Sequence, residues 1–313
     1  MLHTLRVAIV GPGAIGLFYG SQLARAGATV RLLARSDLAV LRARGVIVHG
    51  DHPAYTVAPP AIEAFATPAE VGPVDLVVIT LKNTANDRFH DLVGPLLGPD
   101  TAVLTLQNGL GADERLAALF GAGRVLGGLS FIACTRVAPG EVECFHPGTI
   151  TLGEFSGPSG DRARSVATWF ERAGIPTTVT DRLAEARWLK LVWNIPFNGL
   201  SIASGGLSTD RILADPKLAS EVRALMDEVA DGARALGYQI SEEFIQSQID
   251  VTPKLGGYKP SSLLDWQAGR DVEIEAIWGE PLRRALGAGA RTARLALLYA
   301  LVRSLCVSRP PSP

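Results

Sequence analysis

The sequence is short of the features that would place it in a membrane, a disulfide scaffold or a nucleic-acid complex. Three cysteines in 313 residues, Cys134, Cys144 and Cys306, include no CxxC pair. That excludes a disulfide framework and a cysteine-built zinc site, and it fits a reducing, cytoplasmic setting. Long hydrophobic runs are missing too. A stretch such as Leu295–Val302 falls well short of the roughly 20 residues needed to span a bilayer. No secretory leader is expected, because Met1–Val10 runs straight into a strand-like segment. Neither sign of charge is in excess: Lys+Arg 30 against Asp+Glu 31 leaves a net charge of -1, with no electrostatic footprint for general nucleic-acid binding. Histidine is equally sparse as a ligand source. His49 and His52 flank Gly50-Asp51 without a third ligand nearby, so no metal site is expected.

What is present is an ordinary globular balance, with 47% apolar and 19% charged residues, which excludes wholesale disorder. At about 150 residues per domain the length predicts two domains. In the first half, apolar runs at Leu5–Val10, Thr29–Leu33, Asp75–Leu81 and Ala102–Leu106 alternate with helix-like segments at Ala14–Ala26, Thr84–Leu97 and Asp113–Phe120. Continuous apolar strands separated by helices indicate parallel strands covered on both faces. From Ser130 to Glu154, strand-like pieces joined by Pro139-Gly140 and Pro147-Gly148 predict an antiparallel extension of the sheet. Beyond about residue 180 the pattern is helical: Asp181 is placed to cap a long helix through Leu200, Pro216 to start another and Gly237 to end it. Helical spacing returns at Val272–Leu286 and Thr292–Leu305, and the proline-rich tail Ser308–Pro313 is expected to fray. The expected fold class is α/β, a Rossmann-type doubly wound sheet over residues 1–180 with a C-terminal all-helical domain over 181–313.

Leu5–Val10 leads into Gly11-Pro12-Gly13-Ala14-Ile15-Gly16 and then a helix. In a dinucleotide site the first glycine permits the tight turn, the second lets the backbone approach a pyrophosphate, and the third lets helix and strand pack closely. The pattern alone is weak; between the first strand and first helix of an α/β domain it is much stronger. The exit of the second strand should choose the cofactor. Arg35 stands there, and a guanidinium can grip a ribose 2′-phosphate, which favours NADP. The alternatives are a solvated surface arginine at 35 and an NAD-type role for Asp37. Lys82 and Asn108 follow the strands at Asp75–Leu81 and Ala102–Leu106, where ligands of open α/β sheets bind. Otherwise Asn108-Gly109 is a turn and Lys82 a strand end.

Between Trp188 and Leu200 the chain is apolar except for Lys190, Asn194 and Asn198. Spaced at i, i+4 and i+8, these form one polar stripe on a helix. Unpartnered burial of such groups costs several kcal/mol, so the stripe should face a polar cavity or a ligand rather than apolar core. A solvated face of an amphipathic helix is the competing reading. Pro196 is expected to kink this helix. In Lys259–Glu273, Ser261 or Ser262 can cap a helix; Glu273 reads by composition as a solvated helix-start carboxylate and gains interest only as a partner for Lys190.

The segments VAIVGPGAIG, LLAR, VVITLK, TLQNGL, RWLKLVWNIPFNGL and KPSSLLDWQAGRDVEIEAIWGEPLRRA occur in the order found in the ketopantoate reductase (2-dehydropantoate 2-reductase) family, which this chain resembles from Val7 nearly to its end. The resemblance implies an NADPH-dependent reductase of a 2-oxo acid, serving pantothenate and coenzyme A biosynthesis, with a homodimer left open. It implies cofactor contacts at Gly11, Pro12, Gly13, Ala14, Ile15, Gly16, Arg35, Lys82, Asn108, Ala133 and Glu273. It makes Lys190 and Glu273 catalytic, with substrate contacts at Asn194, Asn198 and Ser261. One departure is that a substrate-contacting asparagine of some members is replaced here by Ser208 or a neighbour. Reduction of a ketone needs a proton on oxygen as well as a hydride on carbon. Lys190 is expected to supply the proton, with Glu273 keeping it charged against the effect of burial.

Overall fold

A computed structural model describes residues 4–50 and 53–307, so His52 and the tail Ser308–Pro313 lie outside the described residues. The described residues form ten strands: β1 (Arg6–Val10), β2 (Thr29–Leu33), β3 (Val46–Gly50), β4 (Tyr55–Val57), β5 (Ile62–Phe65), β6 (Val74–Ile79), β7 (Leu97–Thr105), β8 (Val125–Ala138), β9 (Glu141–Glu154) and β10 (Thr177–Val179). They form one sheet in the order β4-β3-β9-β8-β7-β6-β1-β2-β5, with β10 added alongside β9. From β5 to β8 every pairing is parallel, while β8 and β9 form an antiparallel hairpin. The uniformly apolar reading of β1 follows from burial on both faces. Val7 and Ile9 join a core with Val30, Leu32, Leu76 and Val78. Ala8 and Val10 join a separate one with Val77, Ile79 and Val103. A strand between two cores has no face left for polar residues.

By contact the chain divides into two compact units, one running up to Gln107 and again from Ala112 to Leu183, the other made of Asn108–Gly111 and the chain from Ala184 onward. The second unit is helical, around a core in which Trp188, Leu191, Val192 and Ile195 meet Val222, Met226 and Val229, and Leu295, Leu298 and Val302. The helix Leu183–Ala203 carries the first group and runs unbroken through Pro196. Pro216 opens the helix Pro216–Ala235, and Asp215 caps it by accepting from the N–H groups of Lys217 and Leu218. Trp278 is fully buried, and its Nε1 donates to the Ile195 carbonyl at 3.0 Å. Trp278→Phe, which leaves that acceptor without its donor, should lower stability by about 1–3 kcal/mol in chemical denaturation.

Three local expectations are corrected. The span Thr84–Leu97 is not one helix but a 3₁₀ turn (Asn83–Arg88), a short helix (Phe89–Val93) and a second 3₁₀ turn (Gly94–Leu96). Pro95, in the second of these turns, has no N–H to continue an α-helix. Asp181 does not cap the long helix; its Oδ1 accepts from Ser159 N–H at 2.8 Å, and the helix begins at Leu183. Pro147-Gly148 does not join two strands, since Gly148 lies inside β9. Its φ of +71° there brings the backbone against the Phe131 carbonyl, leaving no room for a Cβ.

Candidate active site

In the first unit the glycine loop is bound to the sheet from below. Gly11 takes φ +83°, and a Cβ on it would lie 2.8 Å from the Leu81 nitrogen, so only glycine fits beside the segment that leads into Lys82. Thr80 Oγ1 donates to the Gly11 carbonyl at 2.7 Å, and a Cβ at Gly16 would strike the same threonine and Ile9. Gly13 is different. A Cβ there would meet nothing nearer than the Gly11 carbonyl oxygen at 4.0 Å, so the fold itself does not require glycine. The helix it begins, Ala14–Arg25, has no side-chain cap and no acidic residue in its first turn. Its leading N–H groups therefore lack a capping side chain, and its first turn brings no acidic residue to the positive end of its dipole. These features fit the pyrophosphate of a dinucleotide.

Other candidate cofactor positions surround this loop within the same unit. Cys134 Sγ donates to the Ala14 carbonyl at 3.5 Å, which brings β8, with Ala133 on it, to the start of the helix. Lys82 is half-buried at the head of the turn after β6. Arg35 is exposed, and among the described residues its guanidinium has no hydrogen-bond or ion-pair partner. Asp37 is only 5% exposed. One carboxylate oxygen accepts from Gly140 N–H at 3.1 Å; the other accepts from Ser36 Oγ at 3.0 Å and lies 3.4 Å from Arg136. It is committed to the turn of the β8–β9 hairpin.

In the second unit, Lys190, Asn108 and Glu273 come together. Lys190 Nζ donates to Asn108 Oδ1 at 2.8 Å. Burial pushes its pKa down to about 7, the charge of Arg187 pushes the same way, and Glu273 opposes both. Further along the stripe, the side-chain amide of Asn194 has no hydrogen-bond partner among the described residues. Asn198 is 2% exposed, which argues against a solvated stripe. Its Nδ2 donates to the Asn194 carbonyl and its Oδ1 accepts from Ser262 N–H, both at 3.0 Å. Ser262 is buried while Ser261 is exposed at the start of the helix Ser261–Gln267. Ser208 donates to Asp210.

Three contributors were not singled out from sequence. Thr80 braces the glycine turn. Gln107 ties two strand ends together, its Nε2 donating to the Leu81 carbonyl at 2.9 Å and to Asn86 Oδ1 at 2.7 Å. Arg187, 5% exposed and one helical turn before Lys190, is the third; its spacing was visible but its burial was not. His49 pairs with Glu141 at 3.2 Å. Among the described residues no three metal-ligating side chains converge, and no helix is long and apolar enough to cross a membrane.

Comparison with known proteins follows the same lines. The model of the Ketopantoate reductase PanE/ApbA family matches residues 7–157, and that of its C-terminal domain matches residues 182–305. A 2-dehydropantoate 2-reductase of a Nostoc species is 36% identical over 303 residues, covering 95% of this chain and 94% of that protein. The crystal structure of 2-dehydropantoate 2-reductase from Geobacter metallireducens is 41% identical, with a TM-score of 0.92 over 96% of this chain and 99% of that one. The corresponding enzyme structure from Methylococcus capsulatus is 34% identical, with a TM-score of 0.89 over 98% of this chain and 99% of that one. With both family models matched in sequence order and these relatives aligned over nearly the whole length, the chain belongs to the ketopantoate reductase family and is an oxidoreductase.

Proposed function

We propose that this protein reduces 2-dehydropantoate to pantoate with NADPH. The observation that carries the reading is the amine of Lys190, on a family-matched helix, which donates to the neutral Asn108 acceptor and feels the charge of Glu273. The glycine loop, Arg35, Lys82, Asn108, Ala133 and Glu273 would hold NADPH, which supplies the hydride. The Lys190 ammonium stabilises negative charge developing on the ketone oxygen and delivers the proton to it. Asn194, with its amide unpartnered, offers both donor and acceptor to the substrate's carboxylate and hydroxyl. Asn198 has one amide hydrogen left over for the same purpose, and Ser261 has its exposed hydroxyl.

A donor titrating near neutrality is well matched to its task. The acid is the protonated form, so kcat/KM should be level below about pH 7 and fall above it, as Lys190 loses its proton. Arg187 and Glu273 are the charges acting on it. Glu273→Gln removes the charge that favours the ammonium, so the falling limb of the kcat/KM profile should move to lower pH.

The reading is tested by following NADPH absorbance with a panel of 2-oxo acids that includes 2-dehydropantoate. Turnover fastest with 2-dehydropantoate supports it. Faster turnover of another acid would assign a different substrate within the family, a result that the Ser208 departure makes worth seeking. NADPH binding with no turnover of any member would instead mark a non-catalytic sensor.

A further inference from the structure

The helix that follows Glu273 contains a π-helical turn, Glu275–Gly279, in which Glu280 N–H donates to the Glu275 carbonyl five residues back. That diverts the donor that an α-helix would give to the Ala276 carbonyl. The next candidate, residue 281, is a proline and has no N–H. Ala276 is therefore left with a carbonyl that its own helix cannot satisfy. Leu110 N–H takes it at 3.0 Å. Gly109 makes this approach feasible: its φ is +79°, and a Cβ on it would press on the Ala276 carbonyl and lie 2.8 Å from the Ala276 Cβ. The residue before it, Asn108, accepts from Lys190.

We propose that the π turn and Pro281 create a backbone acceptor that docks the Asn108–Leu110 loop and so sets Asn108 against Lys190, with Gly109 and Pro281 as positioning residues. The importance of this docking for turnover rests on the reductase reading above; the docking itself does not. Gly109→Ala introduces a Cβ into the contact. Pro281→Ala introduces an N–H that competes for the Ala276 carbonyl without a clash, and it keeps the test open if the first variant fails to fold. Both displace an acceptor from a charged donor, which favours loss of the proton from Lys190.

The experiment uses protein labelled with [ε-13C]lysine. The chain has five lysines, Lys82, Lys190, Lys217, Lys254 and Lys259, so each titration can be followed by NMR. Gly109→Ala is expected to lower the Lys190 midpoint by about one pH unit and kcat by about tenfold or more, with a smaller change in the same direction for Pro281→Ala. Added to Asn108→Ala, either substitution should change kcat less than about twofold, because the group they position is gone. Unchanged Lys190 titration in a folded Gly109→Ala or Pro281→Ala protein overturns the proposal, and so do losses that multiply in the double variants. If the parent turns over no 2-oxo acid while the Lys190 midpoint still moves, the docking stands and the reductase reading falls.

Discussion

Lys190→Ala should reduce turnover of the preferred 2-oxo acid by about two to four powers of ten while the protein stays folded. The size follows from the two roles proposed for this one side chain, stabilising charge on oxygen and supplying its proton. The folding expectation follows from its surroundings. Burial works against the ammonium, and so does Arg187 one turn away. Removing the amine takes its donor from Asn108 Oδ1 and a favourable charge from Glu273. Those opposing effects should hold the melting temperature within a few degrees of the parent. Single-turnover absorbance with pre-bound NADPH separates a lost chemical step from weakened binding, since only the rate constant should fall. Near-normal turnover in this variant would remove Lys190 from the mechanism.

Arg35→Ala should raise the KM for NADPH by about ten- to a hundredfold, the worth of hydrogen bonds to a charged group, and leave the KM for NADH nearly unchanged. The asymmetry is the point of the test, because NADH lacks the 2′-phosphate. Arg35 is exposed and has no partner among the described residues, so its removal costs the fold little. Asp37, the residue that would argue for NAD, has its carboxylate turned to Gly140, Ser36 and Arg136 instead. An equal loss with both cofactors would cancel the 2′-phosphate assignment.

Elements packed by their own local pattern were legible in the sequence. β1, most of β6 and the buried end of β7 read as strands because strands between two cores are largely apolar, and β2 through Val30, Leu32 and Leu33 around Arg31. The Leu183–Ala203 helix read as a helix, and its polar stripe was visible, because helical spacing is a local property. What was missed depends on partners distant in sequence. β3 and β4 are short: β3 finds its place beside β9, some ninety residues on, and β4 is held only by β3. Asp181 looked like a cap until Ser159 claimed it. Arg187 looked like any helical arginine until the surrounding core buried it. The π turn adds one residue to a helical repeat, which apolar spacing does not register, and Gly109 read as an ordinary turn because Ala276 was not in view.

The three glycines of the first loop answer to different masters. Those at 11 and 16 are demanded by neighbouring atoms of the protein, whereas the one at 13 has open space where a side chain would go. A descendant of this chain that gave up its dinucleotide would keep the outer two to stay folded and let the middle one drift. Position 13 is thus where a genome would record retirement from redox work before either of the other two glycines changed.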